Sequence, residues 1–292
     1  MDRVLLLGGS GILGSEVLYQ LKARGIDYLA PQSTGLDIRD KVSLENFVLA
    51  FKPNWIVNCV AWTNVDGAEV QFESALELNE FAVRNIAEVA KTVKSRVIHI
   101  STDYVFDGDS AIPYDEKALA SPINNYGKSK LRGEKTLMEV LPTDSYIVRT
   151  SWLYGVNGKN FVKSIATKAV GNETARVVDD QIGSPTNARD LAAGIISITE
   201  RLPVAGIYNF SNLGSCSWFK LAKSIYKGLD SDPKLVEAIN SSDLSLIAKR
   251  PKYSLLSKEK WQESGLIDIP EWEWSLKSIL PEIIHEIQNS ER

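Results

Sequence analysis

Histidine and cysteine are each present only twice in this chain of 292 residues. The histidines are His99 and His285, so a histidine-rich zinc site is excluded and a Ser-His-Asp triad has few candidates. His285 falls in a charged C-terminal helix and reads as a surface residue. His99 lies inside the apolar run "RVIHIS" and reads as a core residue. Acid–base chemistry is left to Tyr, Lys, Asp or Glu. The cysteines, Cys59 and Cys216, are far apart and lack metal-ligand spacing, which suits free thiols in a reducing compartment. No metal site is expected. There is no basic excess either: net charge is −4 and the pI about 5.4, so no nucleic-acid partner is expected. Long apolar runs are missing as well. The longest near the N-terminus, Val4 to Leu7, is too short for a secretory segment, and nothing approaches the ~18 residues of a membrane span. The expectation is a cytoplasmic protein that does not engage a membrane.

What is present is a regular alternation. "RVLLLGG", "DYLAP", "WIVNCVA", "RVIHIS" and "SYIVRTS" read as strands. Between them lie helical patterns: "GILGSEVLYQLKARG", "SLENFVLAFKP" with Ser43 as its N-cap, a long one from Glu69 to Val93, and one holding Tyr126. The strands are mostly continuous apolar runs, as expected of a parallel sheet covered on both faces. The fold class is therefore α/β, a Rossmann-like doubly wound parallel sheet. Residues 1–151 read as an NAD(P)-binding domain. Residues 152–292 are more irregular and richer in aromatics, and read as a smaller C-terminal substrate-binding lobe. Residues 187–210 are expected to return to the first domain.

"GGSGILG" places Gly8, Gly11 and Gly14 at the first strand–helix junction. A pyrophosphate approaching amides at a helix N-terminus requires glycine there, because a Cβ would obstruct both the turn and the ligand. The stretch after the second strand, "APQSTG", holds neither an acid for a ribose nor an arginine for a 2′-phosphate. Asp37 and Ile38 follow, suited to an adenine amino group and its ring. Ser33 and Thr34 leave room for a phosphate, so NADPH is the expected cofactor, with NADH tolerated.

"HISTDYVFDG" turns abruptly polar at Ser101, at the carboxyl end of a strand, where doubly wound sheets bind ligands. Tyr126 and Lys130, four residues apart on the next helix, share one face. A hydroxyl at Thr102 with Tyr126 and Lys130 is the working set of short-chain dehydrogenases. Free tyrosine has a pKa near 10. A lysine ammonium ~4 Å away, at an effective dielectric of ~20, contributes about 4 kcal/mol towards the phenolate. That is roughly three pKa units. On this reading Tyr126 supplies the proton, Lys130 tunes it and holds the nicotinamide ribose, and Thr102 donates to the ketone oxygen.

The chain also resembles the dTDP-4-dehydrorhamnose reductases, extended short-chain dehydrogenases. The likeness rests on "GGSGILG", "NCVAWTNVDGAE", "STDYVFDG", "NNYGKSKLRGE", "VRTSWLYG", "GKNFV" and "DDQIGSPT", in that order. It implies NAD(P)H-dependent reduction of the 4-keto group of dTDP-4-dehydro-L-rhamnose to dTDP-L-rhamnose. It also implies Gly11, Ile12 and Leu13 at the pyrophosphate, Asp37 and Ile38 at the adenine, and Ala61, Trp62 and Thr63 along the cofactor's middle. Asp103 and Tyr104 would contact the sugar nucleotide and Trp152 would flank the deoxysugar. Trp62 departs from the family's His or Tyr, and Ser257, in "KRPKYSLLSKEKW", replaces a common Asp near the family's subunit contact. The resemblance admits a homodimer. Two other readings stand: a reductase of another dTDP-4-keto-6-deoxysugar, and a non-catalytic subunit of the methionine adenosyltransferase type, which nothing in the residues favours.

Overall fold

The computed structural model describes residues 3–290. Its centre is a six-stranded, wholly parallel sheet. In chain order the first half runs β1 (Arg3–Leu7), α1 (Ile12–Ala23), β2 (Asp27–Leu29), α2 (Lys41–Phe51), β3 (Trp55–Asn58), α3 (Val65–Val70), α4 (Phe72–Leu76), a π-turn (Glu77–Phe81) and α5 (Ala82–Val93). Next come β4 (Arg96–Thr102), α6 (Asn125–Val140) and β5 (Ser145–Thr150). The second half contains β6 (Leu153–Tyr154), α7 (Phe161–Val170), β7 (Ala175–Val178), β8 (Ile182–Gly183), β9 (Thr186–Asn187), α8 (Ala188–Arg201), β10 (Gly206–Asn209), β11 (Cys216–Ser217), α9 (Trp218–Gly228), β12 (Val236–Ile239), α10 (Glu259–Glu263) and α11 (Trp272–Ser290). The sheet order is β2-β1-β3-β4-β5-β10. Chain direction across the sheet reverses between β1 and β3, where ligands bind in such folds.

Side-chain alternation explains the apolar strands. Val4 and Leu6 of β1, with Trp55, Val57, Ile98 and Val148, face α1 and α8. Leu5 and Leu7, with Ile56, Val97 and Ile147, face α2, α5 and α6. Successive residues point to opposite faces and both are covered, so neighbouring strand positions are alike apolar. The segment 188–209 joins this unit: α8 packs on α1, and β10 pairs with β5. A separate core gathers α7, α9 and α11 around β7 and β12, with Ile165, Leu221, Tyr226, Trp272 and Ile283 buried in it.

Three local expectations are corrected. The N-cap of α2 is Asp40, not Ser43; its carboxylate accepts from the amides of Val42 and Ser43. β2 and β3 end at Leu29 and Asn58, short of "AP" and "CVA". The single helix from Glu69 to Val93 is broken: Gln71 leaves the helical conformation (φ −124°, ψ 54°), and a π-turn follows. The π-turn carries Asn79, whose buried side-chain amide accepts from the Trp62 backbone N–H at 2.9 Å and donates to the Trp62 carbonyl and the Ser129 hydroxyl. A widened turn aims that amide at the neighbouring loop.

Helix α6 is fixed from two sides. At Gly133 a Cβ would lie 2.0 Å from the Asn79 carbonyl, so only glycine permits this contact with the π-turn. One residue on, Glu134 is buried against β5. Its carboxylate takes hydrogen bonds from Arg149, Nη2 to Oε2 at 2.6 Å and Nε to Oε1 at 3.0 Å and to Oε2 at 3.3 Å, and another from the Ser101 hydroxyl. Removing one partner of such a pair strands a buried charge, at about 3–5 kcal/mol. Glu134→Ala is therefore expected to lose about that much in chemical denaturation at neutral pH. Lys168→Ala, which breaks the exposed pair with Glu173, is expected to change little. Equal, small losses in both would refute the role given to Glu134.

Candidate active site

Two cavities open at the carboxyl edge of the sheet. The larger, about 610 Å³, runs from Gly11 to Gly14 past Ala61, Thr63 and the end of β4 to Tyr126, Lys130 and Trp152. The smaller, about 480 Å³, holds Gly8, Ser10, Ser33, Asp37, Ile38, Arg39 and Trp62. They share the loop between β1 and α1. The structure thus divides the expected cofactor residues, with Asp37, Ile38 and Trp62 on one side of the loop and Ala61, Thr63, Tyr126 and Lys130 on the other. A long, thin ligand crossing the loop would touch both sets.

The loop suits a phosphate group. Helix α1 begins after Gly11 with no side-chain cap and no acid in its first turn, leaving its first amides to an anion. A Cβ on Gly14 would lie 2.0 Å from the Gly8 carbonyl, so glycine is needed for α1 to start so close to β1. Arg39 amends the sequence reading. "APQSTG" has no arginine, yet Arg39, just beyond it, reaches the cavity that Ser33 lines. Its guanidinium holds the Asp37 carboxylate at 2.8 Å, and that hydrogen bond lowers the Asp37 pKa. Thr34 is not among the residues lining this cavity.

At the end of β4 the chain enters a single 3₁₀ turn, Asp103–Val105. The Thr102 hydroxyl caps it by accepting from the Tyr104 amide at 3.2 Å. The same hydroxyl donates to Oδ1 of Asp103 at 3.1 Å, and it stands beside the phenol of Tyr126, brought alongside by the first turn of α6. Asn124 caps that helix, accepting from Gly127 N–H at 2.7 Å. Burial raises the Tyr126 pKa to about 12, with the hydrogen bond from Thr102 opposing and the Asp103 charge reinforcing. Asp103 is buried, and desolvation lifts its pKa to about 6 against hydrogen bonds from Ser254 and Thr102. Its Oδ2 is buried without a partner, a vacant acceptor in the cleft wall. The ring of Tyr104 meets that of Tyr126 edge to face, 5.6 Å between centroids.

Lys130 departs from its expected coupling. The spacing puts it one turn from Tyr126, and both line the cleft. Its Nζ, however, donates to the Ile100 carbonyl at 2.7 Å and lies 3.2 Å from Nε2 of His99. The influences seen on Tyr126 are burial first, then Thr102 and the Asp103 charge. Burial lowers the Lys130 pKa to about 8, with Glu134 and Cys59 pulling the other way. His99 is fully buried, as the sequence suggested, with its Nε2 beside Lys130. His285 is exposed.

Trp152 lines the cleft with a left-handed backbone (φ 48°) and stacks on Trp218 at 3.7 Å and 12°. Trp218, the first residue of α9, was not singled out from the sequence, where nothing ties it to Trp152. Arg250 was also missed. It clamps Asp66 with two hydrogen bonds of 2.8 and 2.7 Å and bonds Tyr104, joining the "KRPKYS" segment to the first turn of α3. That clamp lowers the Asp66 pKa to about 2. A faint signal for the Glu134–Arg149 pair did exist: a charged residue inside the strand run "SYIVRTS".

Comparisons with known proteins agree with this geometry. A family profile described as the RmlD substrate binding domain matches residues 1–284. A dTDP-4-keto-6-deoxy-D-glucose reductase of Streptomyces niveus is 38% identical over 280 residues, covering 96% of this chain and 97% of the relative. A dTDP-4-dehydrorhamnose reductase of Streptomyces griseus is 38% identical over 284 residues, covering 96% and 93%. Among solved structures, the dTDP-4-dehydrorhamnose reductase of Bacillus anthracis in complex with NADP superposes with a TM-score of 0.92 at 36% identity, covering 96% of this chain and 99% of that one. A conserved-length match to the profile and to relatives above 30% identity, on a doubly wound sheet with tyrosine and lysine at its carboxyl edge, means that the chain belongs to the dTDP-4-dehydrorhamnose reductase family.

Proposed function

We propose that the protein reduces the 4-keto group of dTDP-4-dehydro-L-rhamnose to dTDP-L-rhamnose, with NADPH as cofactor. The observation that carries this reading is the Thr102–Tyr126 hydroxyl pair in a cleft continuous with the glycine loop. NADPH, when bound, supplies the hydride to the carbonyl carbon. Everything else is the work of the chain. Gly11, Ile12, Leu13 and Gly14 receive the pyrophosphate; Gly8, Asp37, Ile38 and Trp62 hold the adenosine side; Ala61, Thr63, Tyr126 and Lys130 hold the nicotinamide side. Tyr126, kept protonated by burial, gives its proton to the oxygen of the new alcohol, and the Thr102 hydroxyl beside it hydrogen-bonds that oxygen. Asp103 and Tyr104 contact the sugar nucleotide, and Trp152, backed by Trp218, flanks the deoxysugar. The protein acts in the cytoplasm; among the described residues no helix is long and apolar enough to cross a membrane.

A second reading is reduction of another dTDP-4-keto-6-deoxysugar. The Streptomyces niveus relative, named for such a substrate, matches as fully as the rhamnose enzymes do. A purified-enzyme assay separates the two. NADPH oxidation is expected with dTDP-4-dehydro-L-rhamnose; turnover only of a different dTDP-4-keto sugar would replace the first reading by the second. In that assay Tyr126→Phe is expected to lower kcat by at least ~10²-fold while the cofactor Kd, set by many other contacts, barely changes. Near-normal turnover would remove Tyr126 from its role.

Asp103 gives a pH prediction. Its pKa is raised to about 6, so it is an acceptor above that pH and a neutral acid below. kcat/KM is expected to fall as pH drops through about 6, and Asp103→Asn to flatten that acid limb; an unchanged limb in the variant would contradict the assignment. For the cofactor, kcat/KM is expected to favour NADPH over NADH. Arg39→Ala should reduce the NADPH value by roughly tenfold, one lost charge-assisted contact, and spare the NADH value. A strong NADH preference in the unmodified protein would overturn this.

A further inference from the structure

His99 sits behind Lys130 on β4, wholly enclosed, and the reaction as described makes no use of it. Its partners fix its proton by elimination. The Val60 amide donates to Oδ1 of Asn58 at 3.0 Å, which orients the Asn58 side chain and turns its NH₂ group towards His99. That NH₂ lies 3.0 Å from Nδ1 of the imidazole. A group that can only donate needs an acceptor, so Nδ1 carries no hydrogen. A neutral imidazole has one N–H, which must then be on Nε2. Nε2 points at the Lys130 nitrogen, 3.2 Å away. An N–H facing an ammonium is repelled by it; an N–H facing an amine finds a lone pair. The remaining Lys130 hydrogens are left for the Ile100 carbonyl, at 2.7 Å, and for the cleft.

We infer that His99, locked by Asn58 as its Nε2–H tautomer, is a positioning residue that holds Lys130 towards its amine form and so sets the pH at which the active-site lysine loses its proton. This rests on the proposed reductase reading for its kinetic arm only. The other groups around Lys130 act differently. On α6, Tyr126 is uncharged at neutrality, and Glu134 favours the ammonium but is itself held by Arg149 of β5. From the loop after β3, half-buried Cys59 stays a thiol, desolvation raising its pKa to about 12. Asp103, beyond β4, acts on Tyr126. Burial of Lys130 and its displacement to about 8 agree with the arrangement. Burial likewise holds His99 well below the usual imidazole range, so it stays neutral while Lys130 titrates.

The test reads the tautomer directly. With only two histidines in the chain, ¹⁵N NMR of histidine-labelled protein gives two ring systems, and the His285→Asn variant identifies His99 by what remains. His99 is expected to show the proton on Nε2 and no titration between pH 5 and 9. A proton on Nδ1, or titration of His99 in that range, would overturn the inference whatever the protein's activity. Asn58→Ala removes the lock without adding charge, and Asn58→Asp keeps the shape and calls the proton to Nδ1. In both, Nε2 becomes an acceptor for the ammonium, and the alkaline limb of kcat in ketone reduction should move up by about one pH unit or more. A tautomer switch with no movement of that limb would break the link to Lys130. Should the unmodified protein turn over no dTDP-4-keto sugar, the function is refuted and the NMR arm still decides the state of His99.

Discussion

Much of this molecule depends on one buried ion pair. Glu134 and Arg149 bind a helix to a strand where water cannot screen them, and each has lost too much hydration to stand alone. The pair also takes the hydroxyl of Ser101, so it joins α6, β5 and the end of β4 at one point. Arg149 lies over the Phe106 ring as well, 5.1 Å from its centroid, extending the clamp to the turn after β4. Tyr126 is on the first turns of the same helix, and Thr102 is next to Ser101. Their hydroxyls therefore meet because structure two turns away leaves α6 no freedom to slide or roll.

The electrostatics of the site follow from exclusion of water more than from nearby charge. Tyr126 is raised, Lys130 lowered and Asp103 raised, and burial is the largest cause each time. A proton donor that must stay protonated gains from such a wall. The same wall makes the hydrogen-bond partners decisive, since an N–H or a lone pair acts strongly where nothing else solvates it. Isolated charge arithmetic at a fixed distance, which makes Lys130 the tuner of Tyr126, omits the Ile100 carbonyl and the ring of His99.

How far the sequence reveals this depends on the range of the forces. Strands such as "VLLL" and "WIV" are legible because covered faces demand apolar residues at every position, and the glycine loop because only one residue type permits its geometry. Thr102 and Tyr126 are legible because strand end and helix start are consecutive. Asp40 escapes notice because a cap three residues earlier serves equally well by pattern. Trp218, Arg250 and Asp66 come from distant segments, and one chain carries no mark of which loop meets which. Arg39 was missed for a plainer reason: it stands past the acid, outside the stretch where a phosphate clamp is usually sought.

The widened turn at Glu77–Phe81 has a consequence for chain length. An α-helix advances about 100° per residue. With one residue fewer, this stretch would close into a regular helix, but the apolar stripe of α5 and the inward-facing Asn79 would lose their relative orientation by about that angle. The outer positions tolerate substitution; the count of residues does not tolerate change. Here the chain stores an angle as a whole number, and an insertion or deletion far smaller than any domain would misalign the helix that carries Tyr126.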